Sequence, residues 1–217
     1  MDTDFGVKTV FYLGEIPVTQ TIVATWGVMA ILVILALVTR FSLKKIPGKL
    51  QLFMELIIDG VHWLVDSSMG KDKRGFAPYV LTLALFLVLA NLSGLVGVRQ
   101  PTADLNTTFA LALITFIMIH YNGIRSKGPL LYFKGFFQPI AFLFPMNIIS
   151  ELALPISLSF RLFGNMLGGV IILALMYSFA PAIAPIIGHL YFDLFAGIIQ
   201  SFIFVMLTIT FISLAMD

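Results

Sequence analysis

Arg161 is the only Asp, Glu, Lys or Arg between Leu152 and Phe192. An arginine guanidinium keeps its proton under all ordinary conditions. Seating one near a bilayer centre costs roughly 2.5–3.5 kcal/mol on insertion scales. Such a charge faces a watery cavity or a carboxylate supplied by a partner. The residue therefore points to ion movement or charge sensing inside a membrane.

Helical spacing arranges polar residues around it. Ser157, Arg161, Gly164 or Asn165, and Gly168 fall on one stripe of a helix. Gly164 and Gly168 form a small-xxx-small pair that lets another helix come close. The glycines alone are compatible with ordinary helix packing. Beside Arg161 they suit a neighbouring helix that slides past while presenting a carboxylate. A second stripe holds His189, Asp193, Ala196 or Gly197, Gln200 and Thr208. Gln200 can equally be a hydrogen-bonding residue between helices. Asp193 is harder to explain structurally, because an intramembrane acid is costly and marks function. A metal site is not expected, because His62, His120 and His189 lie on separate segments and His189–Asp193 lacks further ligands.

Depth gives these groups an order. Glu151 precedes Arg161 by ten residues, about 15 Å along a helix. Asp193 precedes Gln200 by seven residues on the returning segment, about 10 Å. Polar groups thus approach the membrane middle from both faces, with a permanent cation between them. This is a layout for two offset half-channels. A continuous pore has no use for a central arginine, which repels protons and cations.

The elements that must hold these residues are membrane helices. The chain has 217 residues, is 59% hydrophobic and only 11% charged, against about 25% charged in soluble domains. Its mean hydropathy is +1.02. The absence of cysteine excludes disulfide and thiol chemistry. A net charge of +2 is too small to suggest nucleic acid as a partner. No cleaved signal or transit peptide is expected, since Asp2 and Asp4 precede Lys8. The expected fold is an all-α polytopic membrane protein with about five crossing helices in a single membrane domain. An N-terminal segment, 1–20, lies outside. Spans follow at 22–40, 76–98 and 105–124, then two long tilted helices, 136–179 and 183–216, packed as a hairpin. Pro139, Pro145 and Pro155 make bends plausible in the first of these. The segment 48–66 reads as an interfacial helix. Glu55, Asp59, His62 and Asp66 share one face, and Phe53, Ile57, Val61 and Leu64 share another.

Basic residues set the expected orientation. Arg40, Lys44, Lys45, Lys49, Lys71, Lys73 and Arg74 lie between the first two spans, and Arg125, Lys127 and Lys134 between the third and fourth. Both connections belong on the cytoplasmic side, which puts the N-terminus outside and the C-terminus inside. No internal repeat of the inverted-transporter kind is evident.

The run Pro155-Ile156-Ser157-Leu158-Ser159-Phe160-Arg161-Leu162-Phe163-Gly164-Asn165-Met166 closely resembles the signature of subunit a of F-type ATP synthases, in its bacterial form. Gln200-Ser201-Phe202-Ile203-Phe204-Val205-Met206-Leu207-Thr208 resembles that family's last helix. The resemblance covers most of the chain. It implies the stator half of a proton turbine, with Arg161 as the essential charge facing each rotor carboxylate. It also implies Asn165 and Gln200 as its polar neighbours, Asp193 in the outer half-channel, and Glu151 and Asn147 near the inner exit. One position departs from many relatives: Val170 stands where they carry Glu or His, nine residues after the arginine. Asp193 then becomes the leading group on the outer path.

The implied partners are a c-ring of proteolipid subunits, a peripheral-stalk b subunit, the remainder of the ATP synthase and membrane lipid. The implied location is a bacterial plasma membrane. No cofactor is expected; protons are the transported ion, although coupling to Na⁺ stays open because the rotor largely selects it. The chain is not expected to be an enzyme by itself, since it has no phosphate-cradling Gly-rich loop, HExxH or GxSxG. The alternative is a self-contained ion channel or secondary transporter.

Overall fold

The computed structural model describes residues 9–13, 15–44, 48–135, 137, 142, 144–180 and 183–216. Five helical segments among them are long and apolar enough to cross a membrane: Gln20–Phe41, Lys71–Val96, Leu105–Lys127, Phe144–Phe179 and Ala184–Met216. The protein is an all-α polytopic membrane protein.

The first helix, α1 (Gln20–Phe41), starts at Thr19, whose hydroxyl accepts the Ile22 amide, and carries Arg40 in its last turn. Both features satisfy helix-end groups. Before it, strands β1 (Thr9–Leu13) and β2 (Ile16–Thr19) pair antiparallel. That hairpin was not expected in an all-helical reading. Val10, Phe11, Tyr12, Val18 and Thr19 favour strands, and Pro17 fits an edge position. Helix α2 (Lys49–Met69) continues three residues beyond the expected 48–66 segment. Its last turn buries Val65 and Met69 in the core, so this end is anchored in the bundle. Gly70 at φ +88 ends it, and a 3₁₀ segment Lys71–Phe76 leads to α3 (Ala77–Leu92).

Helix α4 (Leu105–Lys127) is capped by the Asp104 carboxylate and has Arg125 and Lys127 in its last turn. The other oxygen of Asp104 accepts the Thr21 hydroxyl at 2.8 Å, tying the starts of α1 and α4 together. A short helix, α5 (Pro129–Gly135), follows Gly128 at φ +80. Helix α6 (Phe144–Phe179) has 36 residues, about 54 Å at 1.5 Å each, against a hydrocarbon core near 30 Å. Within the expected 136–179 segment, 136, 138–141 and 143, Pro139 included, lie outside the described residues. Pro155 sits inside α6 and offers no N–H to the carbonyl of Glu151.

The returning segment is not one uniform helix. It comprises α7 (Ala184–His189), a π-helical stretch Leu190–Ala196 and α8 (Gly197–Met216). It turns back on α6 through α7, but α4 then packs against both α6 and α8. The core joins Val65 of α2, Leu83 and Leu87 of α3, Ala112 and Ile119 of α4, Leu158 and Leu162 of α6, and Phe204 and Ile209 of α8. Burying each large aliphatic side chain in such a core is worth about 1.5–3 kcal/mol in water. Within lipid, close packing and polar contacts replace that drive.

Candidate functional site

Helix α6 buries Pro155, Leu158, Ser159, Leu162, Met166, Gly169 and Leu173. Their i+3, i+4 rhythm defines the face against the bundle. Arg161 and Ser157 stand off that face and are exposed. Among the described residues, Arg161 has no hydrogen bond or ion pair. A side chain added at Gly164 or Gly168 would meet no heavy atom within 4 Å. The smooth strip beside Arg161 is therefore open along the free side of α6, and the returning segment does not occupy it. Close approach inside the chain occurs elsewhere. A Cβ on Gly169 would lie 3.2 Å from Phe192, and one on Gly188 would lie 2.6 Å from Leu173.

One turn after Arg161, Asn165 reaches across to α8 and donates to the Gln200 carbonyl oxygen at 2.8 Å. The amide nitrogen of Gln200 is buried without a hydrogen-bond partner among the described residues. A polar pair thus lies one helical turn along α6 from Arg161, with donor capacity in reserve.

At one end of the bundle, Asp193 is only 3% exposed. His189 Nδ1 meets one of its oxygens at 2.5 Å, and Gln100 donates to the other at 2.9 Å. Gln100 also donates to the Asn91 carbonyl at 2.8 Å. The Asn91 amide donates to Ser201 Oγ at 2.8 Å and to the Gly197 carbonyl, and its own oxygen accepts Thr102 at 2.6 Å. Outward, His189 Nε2 meets the exposed Tyr177 hydroxyl at 2.9 Å. A hydrogen-bonded string therefore runs from the surface at Tyr177 to fully buried Asn91. Two glycines make room for it. A Cβ on Gly94 would fall 2.5 Å from Gln100 Nε2 and 2.7 Å from Asp193 Oδ2, and one on Gly197 would fall 3.1 Å from Asn91. Asp193 lies within the π-helical stretch, a device frequent at functional sites.

At the opposite end, Asn147 and Glu151 line a cavity of about 540 Å³ with Ser150 and with residues of α4, α5 and α8. One Glu151 carboxylate oxygen is enclosed without a hydrogen-bond partner among the described residues. Arg161 lies between the two ends along α6, flanked by a buried acid network on one side and an acid-lined cavity on the other.

Residues 22–213 match the family model described as ATP synthase A chain. The chain belongs to that family. Relatives include the sodium ion specific ATP synthase subunit a of Propionigenium modestum, 37% identical over 97% of this chain and 78% of that one. The ATP synthase subunit a of Moorella thermoacetica is 38% identical over 94% of each chain. That of Trichlorobacter lovleyi is 37% identical over 89% of this chain and 85% of its own. As a member of the subunit-a family, the chain is a multi-pass membrane component of ATP synthase, in the service of ATP synthesis and ion transport.

The structure brings the expected residues together in three groups: Asn165 with Gln200, one turn along α6 from Arg161, Asp193 with His189, and Glu151 with Asn147. Ser157 shares the Arg161 face but bonds to none of them, whereas its neighbour Ser159 is buried and meets Thr108 Oγ1 at 3.1 Å. Sequence reading missed Gln100, Asn91, Thr102, Ser201 and Tyr177. The run Gln100-Pro101-Thr102 sits in a connection without helical periodicity, so spacing could not assign its side chains to the Asp193 stripe. Asn91 is the only amide between Phe76 and Val98, which was a usable signal. Val170 is half-buried on α6 and carries no ionisable group.

Proposed function

We propose that this chain is the stator subunit that forms two offset proton half-channels and couples proton passage to rotation of a ring of proteolipid subunits. The observation that carries the reading is Arg161, a permanent cation exposed on a glycine-smoothed face with no carboxylate partner among the described residues. A charge in that position is stabilised by a partner that brings the carboxylate.

In this mechanism the Tyr177–His189–Asp193 string takes up protons from the outer side. A proton passes inward past the Asn165–Gln200 pair and neutralises a rotor carboxylate, which can then enter lipid. After a turn of the ring, the carboxylic acid reaches the Glu151 cavity and gives up its proton toward the cytoplasm. Arg161 attracts the resulting carboxylate and repels any proton moving straight between the half-channels. One charge crossing 100 mV is worth about 2.3 kcal/mol, so several must pass for each ATP. The orientation rests on the basic connections, which place the C-terminus inside the cell. A peripheral-stalk b subunit holds the stator still, and the chain does no ATP chemistry itself. Protons are the proposed ion. The name of the Propionigenium modestum relative shows that Na⁺ serves elsewhere in the family. The His189–Asp193 pair, which can carry a proton, favours H⁺ here.

Disulfide trapping tests the rotor contact, because the chain has no native cysteine. Gly164→Cys or Gly168→Cys, paired with a cysteine near the mid-helix carboxylate of the proteolipid, should cross-link in membranes. Proton conduction by this chain alone in vesicles, with no cross-link in the complex, would favour a self-contained channel.

A further inference from the structure

Gln100 bridges two oxygens that belong to different elements. Its Nε2 donates to Asp193 Oδ1 at 2.9 Å and to the Asn91 carbonyl at 2.8 Å. A side-chain amide nitrogen carries two hydrogens, so both are spent here. The opposite amide orientation would set the Gln100 oxygen against two acceptors, and the network thereby fixes which end faces Asp193. Gln100, Asn91 and Asp193 are all buried. Gly94 closes the space over the bridge. A Cβ there would fall 2.5 Å from Gln100 Nε2 and 2.7 Å from Asp193 Oδ2.

The bridge stands where a metal cation would otherwise sit. A hard cation is held by several oxygens converging from carboxylates, carbonyls and hydroxyls. This corner of the bundle is rich in them. Besides the Asp193 carboxylate and the Asn91 carbonyl, it holds Asn91 Oδ1, the Gly197 carbonyl and Ser201 Oγ, and each is engaged by a donor. Thr102 donates to Asn91 Oδ1, Asn91 Nδ2 donates to the Gly197 carbonyl and to Ser201 Oγ, and Ser201 donates to the same carbonyl at 2.7 Å.

The two oxygens of Asp193 are left with different roles. Oδ1 faces Gln100, an amide with no titratable proton to give. Oδ2 faces His189 Nδ1, a group that hands a proton over when the imidazole is charged. Transfer breaks the Nδ1–H bond and forms an O–H bond on Oδ2, leaving a neutral imidazole and a neutral acid. Loss of that proton inward restores the carboxylate. Gln100 keeps both of its hydrogens throughout.

We propose that Gln100 determines the ion specificity of the outer path, its amide holding the cation's place between Asp193 and the Asn91 carbonyl so that this acid exchanges protons and not Na⁺. This inference rests on the reading of Asp193 as the outer proton station and adds a selecting residue from the connection between α3 and α4.

The test uses the whole complex in vesicles. Proton uptake from the outer side is driven by an imposed potential, with equimolar Na⁺ or choline on that side. The ratio of the two rates within one preparation does not depend on how much complex assembled. In the unaltered complex the two rates should agree. Gln100→Ala and Gln100→Ser vacate the bridge, and in both Na⁺ should slow uptake severalfold relative to choline. Gln100→Leu refills the space without a polar group, and its uptake should be slow but equal in the two salts. Na⁺ slowing of the unaltered complex, or uptake indifferent to Na⁺ in both small variants, would overturn the inference. So would a Na⁺ effect in Gln100→Leu as large as in Gln100→Ala, because it would follow the lost hydrogen bond and not the vacated place. An Asp193→Asn preparation separates the two levels. If it takes up protons normally, the reading of the outer path fails. If it is severely slowed while the small variants ignore Na⁺, only the role of Gln100 fails.

Discussion

Gln100 donates to Asp193 at 2.9 Å across 93 residues of sequence. The pairing satisfies one carboxylate oxygen from the connection between α3 and α4, while His189 takes the other. Asp193 is therefore oriented from two sides, and its place in the fold depends on residues far from its own helix.

Asp193→Asn should slow proton uptake severely. Asparagine keeps hydrogen-bonding capacity but cannot relay a proton. Val170→Glu in the same chain should restore part of the flux by supplying an acid on α6. Near-normal flux in Asp193→Asn, with assembly intact by immunoblot, would reduce Asp193 to a structural role.

Gly94→Ala should reproduce part of that loss without touching an ionisable group. The added methyl would press on Gln100 Nε2 and Asp193 Oδ2 at 2.5–2.7 Å. These atoms must shift, so we expect flux to fall roughly tenfold, the weight of a hydrogen bond to a charged group. Unchanged proton uptake would show that the Gln100 contact is dispensable.

Gly168→Leu should leave membrane insertion intact and impair coupling. The position is open within this chain, so a leucine there obstructs only a partner on the exposed face of α6. Normal ATP-driven pumping in this variant would remove the close approach from the account.

Acid should loosen the junction between α2 and α3. Arg74 Nε donates to Asp66 at 2.8 Å, and that hydrogen bond holds the Asp66 carboxyl below its ordinary value. A depressed carboxylate pKa stabilises the fold above the unfolded value, and the benefit disappears as pH falls through the folded one. Hydrogen exchange of residues 70–76 should accelerate in that acidic window and not between neutral and mildly alkaline pH.

Much of this was legible before the fold was described. The Arg161 stripe and the His189–Asp193 pair follow from spacing, because helical geometry ties position in sequence to position on a face, whereas Asn165 and Gln200 as flanks of the arginine came from the resemblance to the family. What spacing could not supply were contacts from outside regular helices. Gln100 and Thr102 lie in a connection. The π-helical stretch was also invisible, since nothing in the residue types of Leu190–Ala196 distinguishes a π-helix from an α-helix. Gly164 and Gly168 were recognised as small residues, but sequence could not say whether chain or partner filled the space beside them. The structure leaves that space open.

If Arg161 supplies a non-titrating charge at the rotor interface, its loss must show in ATP-driven proton pumping by vesicles containing the Arg161→Ala complex. Pumping should be abolished while the complex still assembles, with a passive proton leak appearing through the joined half-channels. Arg161→Lys should also pump poorly, because a desolvated lysine can lose its proton. Normal coupled pumping by assembled Arg161→Ala complexes would show that the rotor does not need this charge.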